Sequence, residues 1–218
     1  MLKKYFEPGA LFSYRSYRNL WVSTVLTIVA TSAFPIALAV TILDAGGSAT
    51  ALGLIMGARV LSGVLLAPVG GVWADRLSRR SVLIASDGIR AVVGSLVIFF
   101  DPSTISLWVL LAVVVIMGAS DAFGRPAVAA IIPSILPDHL LPSGNVVRGI
   151  AMKGGEIAGP GIAGLIIVTF GTHATYLTTC FFFLVGALLL FRINENPREV
   201  NSSPKSSFLT EVREGLRV

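Results

Sequence analysis

The sequence predicts an all-α, polytopic transmembrane protein, and three observations predict it. The 218-residue chain is 54% hydrophobic and only 13% charged, where a soluble domain carries roughly 25% charged residues. Its mean hydropathy is +0.81, and a surface so poor in charge associates or enters lipid. Apolar runs recur at about the 20 residues that a helix needs to cross a hydrocarbon layer of about 30 Å. Of the connections between those runs, only alternate ones carry Lys or Arg.

Six runs qualify, at about 20–43, 50–73, 81–100, 106–123, 146–170 and 174–191. They are too long for barrel strands and lack strict alternation, so each is expected to be a helix. The first run is too long for the apolar segment of a signal peptide, and no small-residue cleavage site closes it; it reads as a retained first span. Lys3, Lys4, Arg15 and Arg18 precede span 1. Arg76, Arg79 and Arg80 lie between spans 2 and 3, and Arg125 and Arg148 bracket the connection from span 4 to span 5. Arg192, Arg198, Lys205, Arg213 and Arg217 follow span 6. The remaining connections, DAGGSAT, DPSTI and GTH, carry no Lys or Arg. The positive-inside rule then places both termini in the cytoplasm, with 1–19 as an N-terminal segment and 192–218 as a tail. The net charge of +5 is thereby accounted for by topology, and no nucleic-acid partner is expected.

Tyr14, Tyr17 and Trp21 suit an interfacial belt at the entry to span 1. The connection from span 4 to span 5 holds Pro133, Pro137 and Pro142 and is expected to be broken. In the tail, Phe208, Val212 and Leu216 recur every four residues, the pattern of a short amphipathic surface helix. Cys180 is the single cysteine, and His139 and His173 fall in loops far apart. No metal-ligand cluster, Ser/His or Ser/Lys pairing, or paired midplane Asp is evident, so an intramembrane enzyme is disfavoured.

Residues 70–80 read GGVWADRLSRR. Gly70 and Gly71 permit close backbone approach, and Asp75 and Arg79 are spaced to pair along one turn. Arg76 and Arg80 form a second row facing lipid phosphate or a partner helix. The stretch resembles the loop signature of the major facilitator superfamily, G-x-L-A-D-R-x-G-R-K-x-x-L. Gly71, Ala74, Asp75, Arg76, Arg79, Arg80 (for Lys) and Leu83 agree, while Trp73 and Ser78 depart from it. The resemblance implies that Asp75 and Arg79 belong to a cytoplasmic gate, with Asp121 at the end of span 4 completing the network. In span 5, GGEIAGPGIAGL is similar to the exporter signature of that superfamily through Gly155, Gly159, Pro160, Ala163 (for Gly) and Gly164. Other segments, from RNLWVSTVLTIVATSAFPIAL to AFGRPAVAAIIPSILPDHLLPSGN, resemble the enterobactin-exporter and macrolide-efflux-like branch.

That resemblance implies a six-helix bundle with a 3+3 inverted repeat, the N-terminal half of a twelve-helix fold. It implies alternating-access efflux of a small amphipathic compound such as a drug, macrolide or siderophore, across a bacterial plasma membrane. No cofactor is implied beyond a proton gradient as energy source. The partners implied are the bilayer, the substrate, and a C-terminal half or a second copy of the chain. A non-transporting half and a six-helix homodimer are the alternatives. Many proton-driven members carry Arg in span 4 four residues before Gly; here that position, before Gly118, is Val114.

Charge within a span costs at least about 2.5 kcal/mol on insertion scales, which makes such residues functional candidates. Arg59 is the most interior and is a candidate to meet an anionic substrate. Asp87 with Arg90, Asp121 with Arg125, and Lys153 with Glu156 are spaced to neutralise each other on one helix. They are expected near the cytoplasmic ends, with Glu156 as a candidate for proton exchange.

Overall fold

The computed structural model describes residues 8–99 and 106–194, and the side chains of 71–76 lie outside the description. After a short turn of helix, α1 (Pro8–Leu11), come α2 (Arg15–Asp44), α3 (Ala49–Arg76), α4 (Arg79–Leu96, continued as a 3-10 turn to Phe99), α5 (Leu107–Ile135) and α6 (Leu141–Leu190). Five of these are long and apolar enough to cross a membrane. Straight, the 50 residues of α6 would extend about 75 Å, more than twice the hydrocarbon thickness. They do not run straight, because Gly171 has φ 83° and ψ 173°, a conformation essentially closed to side-chain-bearing residues. The register of contacts shows that α6 reverses there. Gly155 and Gly159 of its first arm meet Ile28 and Ser32 of α2 in parallel order. In its second arm, Tyr176 meets Thr41 while Gly186 meets Thr27 and Ser23, the antiparallel order.

The helices pack through small residues, as expected where lipid offers no hydrophobic drive for association. A Cβ on Gly118 of α5 would collide with the Arg59 carbonyl and the Ser62 hydroxyl of α3, and one on Gly70 would collide with the Ala122 carbonyl. Gly155 and Gly159 form the seam between α2 and the first arm of α6. Ala163, one turn further on, is fully buried, so the departure from Gly there is accommodated; Gly164 faces open space. Phe34, Leu38, Ile42, Val114, Met117 and Phe183 fill one half of the core. Tyr17, Leu20, Ile131, Ile132 and Leu190 fill the other.

Two expectations are corrected. The connection after span 4 is helical for most of its length: α5 continues past Phe123 through Pro126 and Pro133 to Ile135, the chain breaks at Leu136 and Pro137, which are extended, and α6 begins at Leu141. Each proline removes one backbone bond at about 3 kcal/mol. The extra turns bury Ala127, Ile131 and Ile132 completely, and each Ile contributes about 1.5–3 kcal/mol. Tyr17 is not an interfacial residue; it is 1% exposed, and its hydroxyl donates to the Gly144 carbonyl at 2.8 Å, tying α2 to α6. Of the two expectations for Arg80, the partner helix holds: its Nε donates to the Leu190 carbonyl at 3.0 Å and its Nη2 to that of Phe191, at the C-terminal end of α6.

The superfamily Gly replaced by Ser78 also has a local reason. Ser78 is the N-cap of α4, its Oγ accepting from the Ser81 amide at 3.2 Å. The amphipathic pattern in the tail and the Asp75 side chain lie outside the described residues. Gly118→Val is expected to cost about 1–3 kcal/mol through overpacking at the α3–α5 crossing. Gly161→Val, where a Cβ meets nothing within 4 Å, is expected to leave the thermal midpoint nearly unchanged. Thermal melts of the two variants in detergent distinguish these outcomes.

Candidate functional site

Lengthening α5 moves Asp121 from the end of a span to its middle, 14 residues from either terminus of Leu107–Ile135. There its carboxylate bridges two other helices. Oδ1 accepts from Arg90 Nη2 of α4 at 2.9 Å, and Oδ2 accepts from Arg59 Nη2 of α3 at 3.2 Å. Arg90 Nη1 donates to Asp87 Oδ1 at 2.7 Å, and the other Asp87 oxygen accepts from the Thr27 hydroxyl of α2 at 2.8 Å. Two guanidiniums and two carboxylates thus form one neutral chain across three helices, and Thr27 ties it to a fourth. Arg90 and Asp87 are only 5% and 6% exposed, and Phe183 lies beneath the Arg90 guanidinium at 5.8 Å. A Cβ on Gly124 would lie 3.1 Å from Arg90 Nη2, and one on Gly186 would lie 3.2 Å from Asp87 Oδ2, so both glycines leave room for the charged groups.

The sequence-predicted set divides. Asp87 and Arg90 pair as their spacing suggests, and so do Lys153 and Glu156, at 2.7 Å on an exposed edge of α6. Asp121 does not pair with Arg125, because both its oxygens are turned toward α3 and α4. One of them meets Arg90, which stands about 16 Å along α4 from Arg79 at 1.5 Å per residue. Arg79 begins α4, and the side chains of Gly71, Asp75 and Arg76 lie outside the described residues. Arg59 is held by Asp121 and lies 3.4 Å from the Thr31 carbonyl, at the edge of the wide cleft described next.

Two adjoining clefts open beside the charged chain. A wide one, of about 780 Å³, lies among α2, α3, α5 and the first arm of α6, with Pro35, Met56, Val60 and Val64 giving it an apolar wall. A narrow one, of about 110 Å³, reaches inward between α2, α5 and α6 and is lined by Thr24, Thr27, Asp87, Arg90 and Arg148. Thr31, Ser32, Asp121, Arg125 and Glu156 border both. The α2 hydroxyls escaped notice in the sequence, although Ser23, Thr24, Thr27 and Thr31 recur at helical spacing and mark a polar stripe.

A sequence profile of the Major Facilitator Superfamily matches residues 20–218. The chain belongs to the Major Facilitator Superfamily. Among its curated superfamily relatives, the uncharacterized MFS-type transporter YfiS of Bacillus subtilis is 25% identical over 76% of this chain and 40% of its own length. Macrolide efflux protein A of Streptococcus pyogenes is 22% identical over 93% of the chain and 50% of its own length. The class E tetracycline resistance protein of Escherichia coli is 28% identical over 76% and 40%. The chain spans half or less of the length of each of these superfamily members.

Arg90 is the keystone of the superfamily chain's charged network. Arg90→Met is expected to cost about 3–5 kcal/mol by leaving Asp87 and Asp121 without their shared cation. Lys153→Met removes an exposed pair and is expected to cost less than about 1 kcal/mol. Chemical denaturation followed by tryptophan fluorescence measures both.

Proposed function

We propose that the chain is the N-terminal six-helix half of an efflux permease that moves a small amphipathic compound by alternating access, driven by the proton gradient. Superfamily membership and the efflux and resistance relatives support the class. The observation that carries the reading is the pairing of the two clefts: an apolar wall on one side, and a hydroxyl-lined recess against the Asp121–Arg90 network on the other. A substrate with an apolar body and one polar end would match both. The same face would meet the second half, supplied by the rest of a longer chain or by a second copy.

In this reading both termini are cytoplasmic, as the Lys and Arg distribution favours. The Arg80 cap on α6 and the loop signature then lie on the cytoplasmic side, where they would brace the bundle during closure. The chemistry required is binding and release, with no covalent step. Glu156 borders both clefts and is the carboxylate with the most exposed side chain among the three there, at 45%. It is the group best placed to exchange protons with the cleft.

Accumulation of a labelled macrolide in energised cells tests the proposal. Cells expressing the protein are expected to hold several-fold less label than cells carrying an empty vector, and a protonophore is expected to abolish the difference. Glu156→Gln is expected to reduce the pH-driven component with the protein still in the membrane. Equal accumulation across macrolide, tetracycline and a lipophilic dye, with membrane expression shown by immunoblot, would overturn the efflux reading in favour of a non-transporting half.

A further inference from the structure

The charges around the two clefts do not balance. Asp87 and Asp121 hold Arg90 and Arg59, and Glu156 holds Lys153. Every carboxylate bordering the clefts among the described residues is therefore engaged. Arg125 and Arg148 also line the narrow cleft, and neither has an ion-pair partner among the described residues. They approach it from different helices, Arg125 from α5 and Arg148 from the first arm of α6.

Hydrogen bonding points the same way. Three buried side-chain polar atoms lack a partner among the described residues: Trp21 Nε1, Arg90 Nε and Arg148 Nε. All are N–H donors, and a buried donor without an acceptor carries a desolvation cost of about 1–3 kcal/mol. Arg90 and Arg148 line the narrow cleft, and Trp21 stands beside Arg148 in the small pocket at its end, with Thr24 between them in the chain. A recess with surplus guanidinium and surplus donors calls for an acceptor that carries negative charge. A carboxylate is an acceptor of that kind and matches the fork of an arginine.

We propose that Arg125 and Arg148 form an anion-binding end of the transport site, and that amphipathic organic acids are among the compounds carried. The acid group enters the narrow cleft between the two guanidiniums, and the apolar body lies on the wall formed by Met56, Val60 and Val64. The proposal deepens the efflux reading and rests on it. It also moves the anion site away from Arg59, which Asp121 occupies.

Equilibrium dialysis tests this with the protein as its gene encodes it, held in phosphatidylcholine nanodiscs, and three labelled probes of one shape: 1-naphthoate, 1-naphthamide and 1-naphthylmethylammonium. Naphthoate is expected to bind at least tenfold more tightly than the other two. Arg125→Gln and Arg148→Gln are each expected to weaken naphthoate at least tenfold while leaving naphthamide unchanged, which also shows that the variants are folded. Arg125→Lys is expected to recover part of the loss, since it restores the charge without the fork. Equal binding of all three probes by the parent protein would overturn the acid assignment. Binding of none of them, with macrolide efflux intact, would overturn the proposal alone; binding of none with efflux also absent would sink the efflux reading as well. Loss of naphthoate binding when phosphatidylglycerol replaces a third of the lipid would reassign the two arginines to a lipid headgroup, and so overturn it too.

Discussion

Asp121 accepts from guanidiniums on two other helices, and much of the bundle is arranged so that it can. An ion pair removed from water loses several kcal/mol of hydration per ion and recovers it only through close, well-directed partners. Here the partners come from α3 and α4, with Thr27 of α2 closing the far end. The glycines at 118, 124 and 186 lie at the approaches that this geometry requires. A larger residue at any of them would press on a backbone carbonyl, a guanidinium or a carboxylate. The network therefore sets helix spacing as well as charge balance, and it couples four helices that share few other polar contacts.

Much of the architecture was legible in the sequence because lipid imposes so few solutions. Run length located the helices, and the alternation of Lys and Arg implied an orientation. The Asp87–Arg90 and Lys153–Glu156 pairs followed from spacing alone, since partners three residues apart on a helix are neighbours whatever surrounds them. The bounds of α5 did not follow. Pro133 reads locally as a breaker, and only the burial of Ile131 and Ile132 against Tyr17 and Leu136 outweighs it. That is a tertiary fact with no local signature.

The candidate site depended on the same boundary. With α5 ended at Phe123, Asp121 looks like a surface carboxylate beside Arg125, and a loop gate is its natural company. With α5 carried to Ile135, Asp121 is mid-helix and faces Arg59 and Arg90. Arg125 and Arg148, which the sequence presents as topological charges, then become cleft residues. Tyr17 and Arg80 illustrate the same point. Residue type suggested an interface for Tyr17 and a phosphate or a partner helix for Arg80; the fold supplies a backbone carbonyl of α6 within reach of each.

The reversal at Gly171 bears on how such a bundle can move. One residue joins the two arms of α6, and both arms lie along α2, one on Gly155 and Gly159 and the other on Thr27 and Thr41. A turn that tight holds no slack: neither arm can slide past the other along the axis without unwinding part of itself. The arms and the helix they clasp form a stiff three-layered plate. Any rearrangement that carries solute must then swing this plate as one piece, with the deformation taken up at its edges, where α3 touches it only lightly.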